Sequence, residues 1–201
     1  MSKVFIATSR PIGQKCRRWA HDNMPYSFTL CDTIEESDIV ISVLYDKLFP
    51  PEVIKHKKCF NFHPGSLPEY RGSGAFSWAI INNETKCGIT LHLIDEGIDT
   101  GDIIEIREFI VTEEDTALSL FDKGTDVMYR MFTEWFGDLL VGNYNATKQP
   151  VENNRLYLRK DLNEAKDLSR FIRAFYFPSK ESAYYYNVFG KKVYIHYDAF
   201  K

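Results

Sequence analysis

The 201-residue sequence holds no apolar run near the roughly 18 residues that a membrane-spanning helix needs. Met1-Ser2-Lys3 runs straight into a strand-like stretch, with none of the zones of a secretory leader. The four cysteines, at 16, 31, 59 and 87, form no C-x-x-C pair and keep no zinc-like spacing with histidine, so no metal site is expected. Scattered thiols without a leader read as reduced core residues of a cytoplasmic protein with no membrane partner. Cationic excess is also missing: 25 Lys and Arg against 28 Asp and Glu leave a net charge of −3, which argues against nucleic acid as a partner. Glycine is sparse, at 11 residues, and the turn Thr8-Ser9-Arg10-Pro11-Ile12-Gly13 lacks G-x-G-x-x-G, which removes the case for dinucleotide binding. Internal repeats and low-complexity tracts are absent.

What is there suits one globular domain with an appendage: 44% hydrophobic and 26% charged residues, in a chain long enough to bury a substantial core. Val4–Ala7 and the β-branched Asp38–Leu44 read as buried strands, with Ser27–Cys31 a further one. Ser9 and Pro11 start a helix to Asp22, and Glu52–His56 is a short helix. Cys59–Phe62, Gly88–Ile94 and Ile103–Val111 read as strands, and Ala75–Asn82 as a helix. Thr112-x-x-Asp115 resembles a capping box at the start of a long helix with an apolar stripe from Leu118 to Leu139, read as core packing. The turn-rich Gly142–Pro150 marks a boundary, dividing the chain into a body over 1–145 and an extension over 146–201. The extension is expected to hold a helix over Leu162–Phe175, capped by Asp161 and Glu164. Strands Tyr184–Phe189 and Lys192–Tyr197 then flank a Gly190-Lys191 hairpin turn.

One stretch concentrates chemistry. If Cys59-Phe60 begins a strand, Asn61 and His63 lie on one face, and Pro64-Gly65 ends the strand beside them. Asp99 follows in the glycine-flanked turn Gly97-Ile98-Asp99-Thr100-Gly101-Asp102. An amide, an imidazole and a carboxylate can together donate hydrogen bonds and move protons at one reacting centre. His92, in an alternating strand without comparable partners, reads as structural or supporting, and Asp102 as a turn residue.

Asn61-Phe62-His63-Pro64, Leu67-Pro68, Tyr70-Arg71-Gly72 and Asp99-Thr100-Gly101 occur in this order, with Asp99 38 positions after Asn61. From about Asp38 to Leu140 the chain thereby resembles the folate-dependent formyltransferase family. The resemblance implies an α/β, Rossmann-like fold: a mostly parallel sheet with flanking helices and the site at the carboxyl ends of its strands, here followed by the C-terminal helix and β-hairpin. It also implies N10-formyltetrahydrofolate as formyl donor. Asn61 would then face the developing oxyanion, His63 act as general base, and Asp99 orient the imidazole or order a water. Donor contacts are expected at Tyr45, Lys47, Leu48, Asp95, Glu96 and Ile98.

Among the family's branches, those acting on initiator tRNA have a larger C-terminal domain, and the purine-pathway enzymes a glycine-rich phosphate loop after the first strand. This sequence has neither. It most resembles the branch that formylates nucleotide-linked amino sugars, through Tyr70-Arg71-Gly72, Trp78–Asn82, Arg173-Ala174-Phe175 and Pro178. Arg71, Trp78, Arg173, Phe177 and Tyr184 are then the expected substrate contacts, with cations for phosphates and rings for a base. Ordinary packing or a homodimer contact would account for the same aromatics. Two departures stand out: only 60 residues precede Asn61, which reads as a trimmed strand–helix unit, and Gly65-Ser66 replaces a common Ser-Leu. Other readings are formylation of another small amine, hydrolysis of the formylfolate, and a non-catalytic folate or sugar-nucleotide binding module.

Overall fold

The computed structural model describes residues 1–150, 155–159, 167–178, 180–186 and 189–195. Six strands form the central sheet: β1 (Ser2–Ala7), β2 (Phe28–Leu30), β3 (Ile39–Val43), β4 (Lys58–His63), β6 (Lys86–Leu93) and β7 (Ile103–Ile110), in the order β2-β1-β3-β4-β6-β7. The first four are parallel neighbours, and β6 runs antiparallel to both β4 and β7. Five strands therefore point one way and β6 alone the other, as expected for a mostly parallel α/β sheet. Helix α1 (Pro11–Asp22) joins β1 to β2, and α2 (Pro51–His56) joins β3 to β4. Residues 31–38 carry the chain from β2 to β3 without a helix.

Strand alternation sorts the two faces. Ile39, Ile41, Val43, Phe60 and Phe62 pack with α1 and with α4 (Ala117–Val141), whose Met128, Met131, Phe132, Phe136 and Leu139 supply the apolar stripe. Val40 and Cys59 face the other way, onto Val53 of α2. That helix has only six residues, so it covers the start of β4 and leaves the stretch bearing Asn61 and His63 to the loops around it, which bury His63. The site forms on this loop-covered stretch. All four cysteines are free and buried, and burial pushes the Cys16 and Cys87 thiols up to about 12, far from the reactive thiolate range.

Helix α3 (Ala75–Ile81) receives the extension. β8 (Leu156–Tyr157) pairs with β5 (Arg71–Gly72), and the Ser77 hydroxyl on α3 donates to the Ala174 carbonyl of α5 (Leu168–Phe175) at 2.7 Å. Neither β5 nor β8 is visible as a periodic run.

Three sequence expectations change. The capping box of α4 is Thr116 with Ser119, not Thr112 with Asp115; Asp115 instead closes the preceding turn by accepting from the Thr112 backbone at 2.8 Å. Helix α5 starts at Leu168, because Asp167 has extended backbone and caps it by accepting from the Arg170 N–H; residues 161–166, including the expected caps Asp161 and Glu164, lie outside the described residues. The final hairpin pairs β9 (Tyr184–Tyr186) with β10 (Lys192–Tyr194), Lys192 opposite Tyr186, so its connection spans 187–191 and is wider than a two-residue Gly190-Lys191 turn. Residues 187–188 and 196–197, expected in its strands, lie outside the described residues.

Candidate active site

Sheet register lines up three polar residues on the sheet face that bears Asn61. Ser42 of β3 lies beside Asn61 of β4, and Asn61 beside His92 of β6. Two residues further along β4, His63 shares that face. Strand β6 ends at Leu93, opposite Phe60, and the following loop folds back so that Asp99 reaches both Asn61 and His63.

The hydrogen-bond chain assigns each group. The Leu93 carbonyl can only accept, so His92 carries its hydrogen on Nδ1, 2.6 Å away. The Nε2 lone pair of His92 is then the acceptor for the Asn61 Nδ2–H at 3.1 Å. Burial, and next the nearby His63, lower the His92 pKa to about 4 against the pull of Asp99, so this ring is neutral at pH 7. The second hydrogen of Asn61 Nδ2 faces Asp99 Oδ1 at a long 3.4 Å, which leaves it loosely held.

His63 is fixed at its other nitrogen. Its Nε2–H donates to the Tyr70 carbonyl at 2.7 Å, so in the neutral ring the lone pair is on Nδ1. Nδ1 stands 3.4 Å from Asp99 Oδ2, and a proton arriving there would come to rest beside a carboxylate. Asp99 Oδ2 also accepts the Gly72 N–H at 2.9 Å. Asp99 adopts φ 53°, the left-handed region that aspartate tolerates better than most side chains. Gln149 pins it there, donating from Nε2 to the Asp99 carbonyl at 3.0 Å and to the Gly101 carbonyl at 2.7 Å. The segment read as a boundary thus reaches back to hold the site loop.

Two cavities meet at this cluster. The smaller, ≈ 170 Å³, lies between Tyr45, Leu48, Ile54 and Ile94 on its sides and Asn61, His92 and Asp99 below. The larger, ≈ 510 Å³, runs from Arg10 past Asn61 and His63 to Phe121, Arg159, Phe177 and Lys180. Tyr45, Lys47, Leu48 and Ile98, expected at the donor, line both, while Asp95 and Glu96 line the smaller.

Of the expected substrate contacts, Phe177 alone lines either of these two cavities. Arg71 is buried in β5, paired with Leu156. Trp78 is buried in α3 and donates from Nε1 to the Leu158 carbonyl at 3.2 Å. Arg173 donates from Nη1 to the Asp115 carbonyl at 2.8 Å, tying α5 to the start of α4. Tyr184 packs edge-on against Tyr186 and Tyr194, under the Lys192 ammonium. Sequence reasoning missed Gln149 and Arg159, and read His92 as structural or supporting without naming the Asn61 it supports. The alternation of β6 put His92 on a definite face, but strand register was needed to bring it to Asn61.

Residues 30–135, just over half of the chain, match the formyl transferase family model. The chain is 30% identical over 177 residues to a dTDP-4-amino-4,6-dideoxyglucose formyltransferase of Mycobacterium tuberculosis, covering 83% of this chain and 75% of that one. It is 42% identical over 116 residues to a methionyl-tRNA formyltransferase of Pelotomaculum thermopropionicum, 57% of this chain and 36% of that one. The chain spans less than half the length of the methionyl-tRNA formyltransferases it matches. Its fold is that of a sugar N-formyltransferase from Shewanella sp FDAARGOS_354, at a TM-score of 0.82 with 23% identity over 98% of this chain and 97% of that one. It is likewise that of an N-formyltransferase from Helicobacter canadensis solved with folinic acid and dTDP-3-aminofucose, at a TM-score of 0.77 with 23% identity over 90% and 83%. With Asn61, His63 and Asp99 joined in one cluster at the mouth of two cavities, this chain belongs to the formyl transferase family.

Proposed function

We propose that this protein transfers a formyl group from N10-formyltetrahydrofolate to the amine of a nucleotide-linked amino sugar. The observation that carries the reading is the pairing of one proton-handling cluster with two cavities, one for each substrate. Apolar walls at Tyr45, Leu48, Ile54 and Ile94, with the carboxylates of Asp95 and Glu96 at the rim, suit a flat heteroaromatic ring that hydrogen-bonds at its edge. The donor supplies the formyl carbon and leaves as tetrahydrofolate. The larger cavity, with Phe121, Phe177 and several cations, suits an acceptor bearing a base and phosphates. Relatives named for a dTDP-linked amino sugar and solved with folinic acid point the same way.

In this reading the chain's residues divide the work. His92 holds the Asn61 amide so that its loosely bound N–H turns to the charge developing on the formyl oxygen. His63 Nδ1 takes the proton that the amine sheds, and Asp99 stabilises the resulting imidazolium. Residues 1–145 form the catalytic body, and 146–201 complete the acceptor side. A cytoplasmic setting suits its four free thiols. The exposed Tyr185, Tyr186, Phe189 and Tyr194 suit a homodimer contact, which a monomer mass in light scattering would remove.

Mass spectrometry tests the function directly. Purified protein is given N10-formyltetrahydrofolate and a panel of nucleotide-linked amino sugars, with His63→Ala as control. A mass gain of one CO on one sugar, absent with the variant, is expected. Consumption of formylfolate without any formylated sugar would favour hydrolysis or another amine. Binding of both ligands without turnover would favour a binding module.

A further inference from the structure

The far wall of the larger cavity is built by Phe121 of α4 and, from the extension, Leu158, Arg159, Phe177 and Lys180. It carries two cations and two aromatic rings but no carboxylate; Asp46 and Asp99, the acidic lining residues, belong to the loops around the catalytic cluster. Phe121 and Phe177 pack edge to face, with centroids 5.1 Å apart.

Arg159 is the unusual member. Its backbone N–H donates to the Ser73 hydroxyl at 3.2 Å, and its Nη1 to the Ser77 hydroxyl at 3.0 Å. Ser77 in turn gives its own hydrogen to the Ala174 carbonyl, so the oxygen facing Arg159 is free to accept. The guanidinium also lies 5.6 Å from the centre of the Phe175 ring. Its Nη2 is buried and makes no hydrogen bond among the described residues. No described carboxylate pairs with it. A guanidinium remains charged when partly buried, as Arg159 is, and a partly desolvated charge without a carboxylate partner favours a bound anion.

We infer that Arg159, with Lys180 at the rim, is the anchor for the phosphate groups of the acceptor nucleotide, a nucleoside diphosphate. This deepens the function proposed above and rests on it. A forked donor with one arm pinned on Ser77 and the other still without a partner has a planar N–H left for a phosphate oxygen that draws the guanidinium toward the cavity, and Lys180 adds a second positive charge. The adjoining rings give the base an apolar surface. The competing anion is the carboxylate tail of the folate donor. Arg159 and Lys180 line only the larger cavity, whereas Lys47 lines both and stands beside the donor slot, which assigns Arg159 to the acceptor. Arg71 and Arg173, the cations expected from sequence, are engaged elsewhere in the fold.

Isothermal titration of the full-length protein with dTDP, UDP, thymidine and tetrahydrofolate tests this. Arg159→Gln is expected to weaken dTDP or UDP binding about 10- to 100-fold, as loss of a charge-assisted bond does. Tetrahydrofolate and thymidine should bind as in wild type. Lys180→Gln, in a loop, should weaken the diphosphates several-fold and covers the case in which Arg159→Gln does not fold. Undiminished dTDP and UDP binding in the folded variants overturns the anchor while leaving formyl transfer intact. Loss of tetrahydrofolate binding instead assigns the anion to the donor and also overturns it. Failure of the wild type to bind either diphosphate would reject the acceptor class itself.

Discussion

His92 Nε2 accepts a hydrogen bond from Asn61 Nδ2 across the β4–β6 pairing, and the Leu93 carbonyl holds His92 in the one tautomer that can do so. The amide of Asn61 is therefore oriented from below, with its donor edge turned toward Asp99 and the cavities. Without His92 the amide can flip and present its oxygen instead, which would repel a developing oxyanion.

Replacing His92 with leucine is expected to lower kcat about 10- to 100-fold, short of the about 100- to 1,000-fold that loss of an oxyanion donor costs. His92→Gln, whose Oε1 can stand where Nε2 stood, should recover much of the rate. Steady-state kinetics on both variants separates positioning from binding: kcat falls while KM for each substrate holds. Equal losses in the leucine and glutamine variants would show that the acceptor at this position is not what orients Asn61.

The same histidine gives stability a pH dependence. Its folded pKa is about 4, depressed first by burial and then by His63, although Asp99, the Leu93 carbonyl and Asp95 raise it; the ordinary value is 6.5. Between these values the unfolded chain takes up a proton that the folded chain refuses, so stability falls as pH drops from about 6.5 toward about 4. Above that window His92 adds no slope. Urea unfolding at half-unit steps should show this slope in the wild type and a shallower one in His92→Gln. Identical slopes would remove His92 as its source.

How far the sequence could be read depended on where each partner sits. Asn61 and His63 are two residues apart, so strand geometry alone put them on one face, and the apolar runs of β1, β3 and β4 declared a buried parallel sheet. Asp99 was legible through its glycine-flanked turn and through the family resemblance that its spacing from Asn61 carries. His92 was read as structural or supporting, but its partner was not legible, because it comes from register between residues 31 positions apart in the chain. Gln149 and Arg159 act through loops whose path no periodicity records. Arg71, Trp78 and Arg173 have side chains suited to a ligand, but tertiary packing turned them into supports: the Trp78 indole and the Arg173 guanidinium each bond a backbone carbonyl. The misplaced capping box has a local cause. Thr112 and Asp115 have the right chemistry at the right spacing, but they close a turn just before the helix that Thr116 and Ser119 cap.

Asp115 joins that turn to the helix. Its buried carboxylate accepts from Thr112, from the Ser119 hydroxyl at 2.6 Å and, at both oxygens, from the Lys123 ammonium, while its carbonyl receives Arg173. Burial opposes the charge, but the bonds from Lys123, Ser119 and Thr112 outweigh it and hold the pKa below 3.8. Stability from this group is therefore complete above pH 3.8 and lost as pH falls through the lower folded value. Asp115→Asn should cost about 1–3 kcal/mol and lower Tm by roughly 2–10 °C at neutral pH. Calorimetry at pH 7 showing an unchanged Tm would mean that the network adds nothing net.

Gly65 is where the site tolerates no side chain. A Cβ there would stand 2.7 Å from His63 Nε2 and 2.7 Å from the Tyr70 carbonyl, between the two atoms whose hydrogen bond sets the His63 tautomer. It would also crowd Ala75 Cβ at 3.1 Å. Gly65→Ala must therefore push the imidazole or the 66–70 loop aside, and either shift disturbs Nδ1 beside Asp99. Overpacking of this kind costs about 1–3 kcal/mol. With the roles proposed above, the expected result is a folded, less stable protein whose formyl-transfer rate is lowered by at least tenfold, because His63 is displaced while both cavities remain. Circular dichroism and binding of tetrahydrofolate establish that the variant is folded. A variant with wild-type kcat would mean that the His63–Tyr70 bond has no part in the proposed proton transfer.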